Sequence, residues 1–238
     1  MKIKYALTSC DSNPLYYQFW PIIAKLWQEY IEIKPILIFI GNELPKDINQ
    51  DYGEIILFEP TPNLPTSTQS QFIRLWYTQF LDDVVITTDI DMLPLSRGYF
   101  KGSVKNIPED KFLHLGFEKS PGFSICYNVA KPETFKEVLN LSDDLEKDIL
   151  PLYLELKAKN KKEEWFSDEE YLTRNLKKAG NKLIKFDRGE NPFQTRINRT
   201  NWEYHPSLVS VGAYFDCHSL RPYSQYKKEI DQLISYIL

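Results

Sequence analysis

Val84-Val85-Ile86-Thr87-Thr88-Asp89-Ile90-Asp91-Met92 is an apolar run that delivers two acidic residues at its end. A strand over 83–88 accounts for the run. It leaves Asp89 and Asp91 at its carboxyl edge, one residue apart, where both carboxylates can converge on one hard divalent cation that takes oxygen ligands and keeps positions open for phosphates. Taken alone, Asp-x-Asp also fits a turn or a helix cap. The apolar strand before it favours the metal reading, because carboxylates carried to the end of a buried strand need a partner there.

Upstream, the chain alternates between strand and helix patterns. A first strand is expected from Lys2 to Ser9. Asn13 then caps a helix with Pro14 at its first position, and Leu15, Phe19, Ile22, Ile23, Leu26 and Tyr30 fall on one face; Pro21 predicts a break inside it. Strands at Ile36–Ile40 and Glu54–Phe58 follow. A loop holding Pro60, Pro62 and Pro65 leads into a helix over 68–81 with Phe72, Leu75, Trp76 and Phe80 inward. This β-α-β-β-α-β order predicts an α/β fold, Rossmann-like, with a mostly parallel central sheet flanked by helices and ligand chemistry at the carboxyl ends of its strands.

Downstream the pattern loosens. Strands are expected at Phe112–Phe117 and Phe123–Val129, joined through Ser120-Pro121-Gly122. Helices are expected from Pro132 and near Asp143, where Pro151 marks a break, and from Asp168 to Ala179, closed by Gly180. The Lys/Glu-rich stretch from Lys157 to Glu164 reads as a solvated helix end or loop. A late strand is expected over Lys182–Phe186, and a C-terminal helix over Ser224–Leu238. Gly189 to Tyr214 carries Arg196, Arg199, Trp202 and Tyr204 with little periodicity; a loop of that size reads as a lid over the site.

The 238 residues suit one domain, with 1–91 as a nucleotide-binding half and 92–238 as an acceptor-binding half. A net charge of −4 argues against a nucleic-acid partner. No run approaches membrane-spanning length, and the N-terminus lacks an apolar signal core. The three cysteines, Cys10, Cys126 and Cys217, lack zinc spacing and suit a reducing compartment, so a cytoplasmic protein is expected. Aromatic residues make up 14% of the chain. Most of these fit a core, and flat rings with polar edges also suit sugars.

On Asp89-Ile90-Asp91 after its strand, the sequence resembles the GT-A nucleotide-sugar glycosyltransferases, and in element order it looks like their small bacterial and large algal-virus members. The resemblance implies a GT-A-like fold with a small second sheet and a C-terminal helix. It implies transfer of a sugar from a nucleotide diphosphate donor, a UDP-sugar first, to a carbohydrate or other hydroxyl acceptor. It places Asp89 on the ribose or metal and Asp91 on the metal. His218, in Asp216-Cys217-His218-Ser219-Leu220-Arg221-Pro222, takes the place of a third metal ligand, with Arg221 on the diphosphate; the family's glycine between them is missing. Carboxylates with an imidazole suit Mn²⁺ over Mg²⁺. Thr8, Ser9 and Cys10 fall where the nucleotide base lies, and Arg74, with Gln71 one turn earlier, faces the donor. Gly122 falls beside the sugar. Asp168, with Glu169 in reserve, takes the acidic position facing the reacting carbon or the acceptor, and Trp165 is placed to stack on an acceptor sugar.

Each assignment has a plainer counterpart. Ser167 or Asp168 could cap a helix, with Glu170 completing a capping box. Arg74 could be a surface arginine, Gly122 an ordinary loop glycine, and Trp165 part of the core. His114 and His205 have no such context. Three other functions compete. A haloacid-dehalogenase-like phosphatase would use Asp89 as nucleophile, yet 88 residues precede it and no Thr follows closely. A nucleotidyltransferase would need a glycine-rich first loop, which 8–13 lacks. A non-catalytic sugar- or nucleotide-binding module remains the third.

Overall fold

The computed structural model describes residues 1–116, 122–159, 163–186 and 195–238. The strand β1 (Tyr5–Asp11) is buried along its whole length, and β2 (Lys34–Ile40) is buried after its first residue. Strands covered on both faces read as continuous apolar runs rather than alternating ones, which is the pattern of a parallel sheet packed between helix layers. The two pair in parallel from Tyr5 opposite Lys34 to Asp11 opposite Ile40. On the far side of β1 lies β4 (Val85–Thr87), also parallel. The half-exposed β3 (Glu54–Phe58) pairs with β2 in parallel and forms the edge. With β6 (Phe112–His114), β7 (Asn128–Ala130) and β8 (Leu183–Lys185), the sheet has, among the described residues, seven strands in the order β3-β2-β1-β4-β7-β6-β8. Only β7 runs antiparallel to its two neighbours.

A second sheet of three strands has β10 (Tyr214–His218) at its centre. It runs antiparallel to β5 (Met92–Pro94) and parallel to β9 (Thr195–Asn198). Thus β4 enters the large sheet and β5 leaves in the small one, with Thr88–Asp91 between them. The Asp pair therefore sits at the junction of the two sheets.

Several expected elements take a different form. Pro21 does mark a break in the first helical segment: α1 (Pro14–Tyr17) ends before it, and it is the second residue of α2 (Trp20–Lys25). The helix expected from Pro132 is α4 (Pro132–Leu139), and Pro151, by contrast with Pro21, lies inside an unbroken α5 (Leu145–Lys159). It is on the exposed side, so the carbonyl one turn earlier meets water in place of the missing N–H. The strand expected over 123–129 shrinks to β7, because the chain before Asn128 turns away to line the cleft. The strand expected to reach Phe117 ends at His114, and Phe117 lies outside the described residues, as do Ser120, Pro121 and 189–194. Within the described part of the expected lid, 195–198 is β9 and Pro206–Ser210 forms the short helix α7. The alternation in Thr195-Arg196-Ile197-Asn198 supplies one apolar contact, Ile197, which is buried against the sheet.

The helix α3 (Thr66–Trp76) packs against β1 and buries Phe72, Ile73, Leu75 and Trp76. The aromatic residues are mostly core. Trp27, Phe100 and Tyr127 stack edge to face at 4.9 Å steps, an arrangement that adds to their burial. All three cysteines are buried thiols without a disulfide. Among the described residues no helix is long and apolar enough to cross a membrane.

Candidate active site

The strand order places β1 between β2 and β4, so the carboxyl ends of β1 and β4 open side by side. Open parallel sheets bind ligands there. A cleft of about 350 Å³ lies at this point. Ser9, Cys10 and Asp11 line it from β1, Gln71 and Arg74 from α3, and Asp89 and Asp91 from the sheet junction. The far wall is Trp165, Phe166, Asp168 and Glu169, at the start of α6 (Ser167–Leu176), with His218 and Arg221 closing one end.

Local hydrogen bonding fixes the Asp pair. The Thr88 amide donates to the Leu7 carbonyl at 3.0 Å, extending β4 against β1 by one residue. The Asp89 amide donates to the buried Cys126 sulfur at 3.0 Å. The Asp91 carbonyl accepts the Ser219 amide at 3.0 Å, which continues the pairing of His218 with Met92. That register carries His218 to Asp91: Nε2 lies 3.8 Å from Asp91 Oδ2.

Arg74 is neither on the surface nor directed only at the cleft. It is 6% exposed, on a face of α3 that α6 covers. Its guanidinium bridges the Asp89 carboxylate and Asp168 Oδ2, the latter at 3.1 Å. The helix-capping alternative for 167–170 is not what forms. The Ser167 hydroxyl donates back to the Glu164 carbonyl at 2.5 Å, Glu170 pairs with Arg174 at 2.8 Å, and no side chain caps α6. Asp168 spends one oxygen on Arg74 and the other on the Glu169 amide at 2.8 Å. Burial pushes the Asp168 carboxyl above its ordinary range, with Arg74 opposing. Burial, then the charges of Asp168 and Asp89, push Glu169 up to about 7. Burial and the Asp89 charge push Asp91 up to about 6. Carboxyls displaced in this direction inside a cleft are a signature of functional sites.

The three expected metal ligands border one cleft but do not converge. Asp89 is held by Arg74, and Asp91 Oδ2 accepts Nη2 of Arg199 at 2.6 Å. Among the described residues no three His, Cys, Asp or Glu side chains are grouped closely enough to hold a metal ion together. The chemistry of the set nonetheless suits a divalent cation: two carboxylates and an imidazole, with the buried Asp91 carboxyl shifted by a neighbouring like charge. Arg221 Nη1 lies 3.6 Å from Asp91 Oδ2 and donates to the Tyr16 hydroxyl at 2.9 Å.

Not every expected residue reaches the cleft. Thr8 is buried three residues before the end of β1 and does not line it. Gly122 packs on Thr173 instead; a Cβ there would stand 2.7 Å from the Thr173 hydroxyl. Trp165 is not core: it is 48% exposed and lines the cleft. His114 is structural, with Nδ1 2.8 Å from Asn128 Oδ1. Trp202 and Tyr204 stack together, Tyr204 also meeting Tyr236, and neither lines the cleft.

The sequence analysis assigned no site role to Asp11, Asn13, Tyr16 or Phe166, which line the cleft, and placed Arg199, which does not line it but meets Asp91, only in the lid segment. Asp11 accepts the Asn13 amide at 3.1 Å and the Thr66 hydroxyl at 2.9 Å, which ties the end of β1 to the start of α3. Its signal was available, since β1 needs two residues more than the strand assigned to it. Arg199 carried no local signal, because its partner is more than a hundred residues away.

The sheet order and the small second sheet agree with the GT-A-like fold expected from the sequence. No protein-family model matches the sequence, and neither does any curated protein. Solved structures do match. Galactosyltransferase LgtC, in complex with donor and acceptor sugar analogs, superposes with a TM-score of 0.54 at 10% identity, over 98% of this chain and 96% of that one. A glycosyltransferase involved in glycosylation of the major capsid of PBCV-1 matches at TM-score 0.52 and 13% identity, over 96% and 99%. Glycosyltransferase GlyE of Streptococcus pneumoniae TIGR4 matches at TM-score 0.48 and 11% identity over 80% of this chain, which spans 47% of GlyE.

Proposed function

We propose that this protein transfers a sugar from a nucleoside diphosphate sugar, a UDP-sugar in the first instance, to a hydroxyl of a carbohydrate acceptor. One observation carries the reading: Asp89, Asp91, His218 and Arg221 meet Asp168 and Glu169 across a single cleft at the carboxyl ends of β1 and β4. A phosphatase with Asp89 as nucleophile would expect that aspartate at the end of the domain's first strand; here it follows β4, and the GT-A fold does not support that alternative.

The roles follow from position and charge. Ser9, Cys10, Asp11 and Tyr16 surround the space for the nucleoside. Asp89, Asp91 and His218 would hold Mn²⁺ or Mg²⁺, which when bound neutralises charge on the departing diphosphate. Arg221, already braced on Tyr16, contributes a fixed positive charge to the same leaving group. Arg74 is a positioning residue that fixes Asp89 relative to Asp168. Glu169, with its carboxyl near 7 and without the arginine that holds its neighbour, suits proton removal from an acceptor hydroxyl near neutral pH.

Trp165 and Phe166 form the acceptor wall: they are 48% and 54% exposed beside these carboxyls. Aromatic faces suit the apolar faces of pyranose rings. Trp165→Ala is expected to raise the acceptor KM about three- to tenfold, the size of one lost aromatic contact, while slow hydrolysis of the donor by water continues at the wild-type rate. Equal loss in both measurements would remove Trp165 from the acceptor site. The function itself is tested by incubating the protein with UDP- and GDP-sugars and Mn²⁺ and measuring nucleoside diphosphate release. Release from one donor, abolished in Asp91→Ala, is expected; no release from any donor, with or without glycan acceptors, argues for a non-catalytic module.

A further inference from the structure

Arg199 is the residue at this site for which neither the strand-borne Asp pair nor the GT-A resemblance supplies a role. Its Nη2 donates to Asp91 Oδ2 at 2.6 Å, and its side chain is 16% exposed against 7% for Asp91. Its other two nitrogens, Nε and Nη1, are buried without a hydrogen-bond partner among the described residues. A part-buried guanidinium with two of its three nitrogens buried and unpartnered is unusual, because arginine is favoured where an anion can take several of its donors at once. Asp91 Oδ2 is also approached by His218 at 3.8 Å and Arg221 at 3.6 Å, so three nitrogen groups crowd one oxygen.

The mounting of Arg199 is equally specific. Its strand, β9, is clamped to β10 by Arg196, which donates to both oxygens of Asp216 at 2.8 and 2.9 Å. Arg199 itself lies just past the strand, in a tight turn where the Asn201 amide returns to the Asn198 carbonyl at 3.0 Å. The backbone is thus anchored on one side while the long side chain leaves from a turn.

We infer that Arg199 is a resident cation: it neutralises Asp91 when no divalent ion is present, and it turns its unused donors to the donor's diphosphate when the ion takes Asp91. This rests on the transferase reading above, and it adds a residue that both opposes metal binding and supports nucleotide binding. The ligand class is a nucleoside diphosphate accompanied by a divalent cation. No covalent step is involved; a guanidinium–carboxylate contact is exchanged for metal–carboxylate and guanidinium–phosphate contacts.

Two opposite shifts in Arg199→Gln test this. Titrated with Mn²⁺ alone, by calorimetry or by the electron paramagnetic resonance signal of free Mn²⁺, the variant should bind the ion about tenfold more tightly than wild type, the factor expected when one charge-assisted competitor is removed. Titrated with UDP at saturating Mn²⁺, it should bind about tenfold more weakly, for loss of a charged phosphate contact. A residue that merely supports the fold would shift both affinities in the same direction, or neither. Both opposite shifts are required: unchanged or weaker Mn²⁺ binding, or unchanged UDP binding, overturns the inference. Arg199→Lys, which keeps the charge without the fork, covers the case in which the glutamine variant does not fold, and it should shift both affinities in the same two directions by less. If wild type binds UDP in a Mn²⁺-dependent way and the variants lack the opposed shifts, only the role of Arg199 fails. If wild type binds neither, the transferase reading fails first.

Discussion

Arg74→Ala should lower stability by about 3–5 kcal/mol, the cost of removing one partner from a buried ion pair. For a chain of this length that corresponds to a fall in Tm of about 6–20 °C. The reason is the company Arg74 keeps. Its guanidinium bridges Asp89 and Asp168, and Asp168 is 4% exposed. Without the arginine, a desolvated carboxylate is left facing a second one across the cleft. The loss should therefore shrink in the double variant Arg74→Ala/Asp168→Asn, which removes the stranded charge; a double-mutant cycle isolates that coupling. Thermal denaturation at pH 8, where carboxyls ionise most completely, gives the clearest reading. If Arg74→Ala costs no more than an ordinary surface substitution, about 0.5 kcal/mol, the bridge does not exist in solution. On the proposed function the same variant should also lose transfer activity, because Asp89 and Asp168 line the proposed donor cleft and Arg74 bridges them.

Glu169→Gln should remove about 10²- to 10⁴-fold of kcat, the range for loss of a general base, and should stabilise the ligand-free protein above pH 7. The two effects have one cause. Burial and the neighbouring charges of Asp168 and Asp89 raise Glu169 from 4.5 to about 7. A base is active only when deprotonated, so wild-type kcat/KM should climb through a limb near pH 7, and that limb should vanish in the variant. The sign for stability is the reverse of the usual carboxylate case. Between the unfolded value and about 7 the folded state holds more protons than the unfolded one, so stability falls as pH rises through that window. Glutamine cannot ionise and escapes the loss. Wild type and Glu169→Gln should therefore have similar Tm near pH 5 and diverge by pH 8, with the variant higher. A variant that is less stable at pH 8, or that keeps the acid limb, would show that Glu169 is neither strained nor catalytic.

Much of this site could be read in the linear sequence, and the parts that could not share a physical reason. The Asp89–Asp91 pair was legible because an apolar strand ending in acid is a local pattern. The parallel sheet was legible because strand and helix patterns alternate along the chain up to Asp91, and β2 reads as an unbroken apolar run from Ile36 to Ile40. The acid at the start of α6 was legible for the same local reason, although its competitor, a capping box, was just as local; only the contact with Arg74, 94 residues away, separates them. The small sheet was foreseen only as part of the GT-A resemblance. Its central strand, Tyr214–His218, mixes aromatic, acidic and imidazole side chains and shows no alternation, and its order comes from pairing with β5 and β9. Arg199 was legible only as part of the lid segment, because its partner lies more than a hundred residues away, and Asp11 was passed over because the expected strand stopped two residues short of it. Thr8 and Gly122 were misplaced for the opposite reason: a strand end and a glycine suggest proximity to ligand, while the turn of the strand and the packing on Thr173 direct them elsewhere.

Calorimetric titration of UDP and GDP, with and without Mn²⁺, into wild type and Asp91→Ala tests the central claim most directly. The account predicts that one nucleotide binds wild type only when Mn²⁺ is present and that Asp91→Ala does not bind it under either condition. No binding of either nucleotide to wild type under any metal condition, or equal binding by wild type and Asp91→Ala, would contradict it.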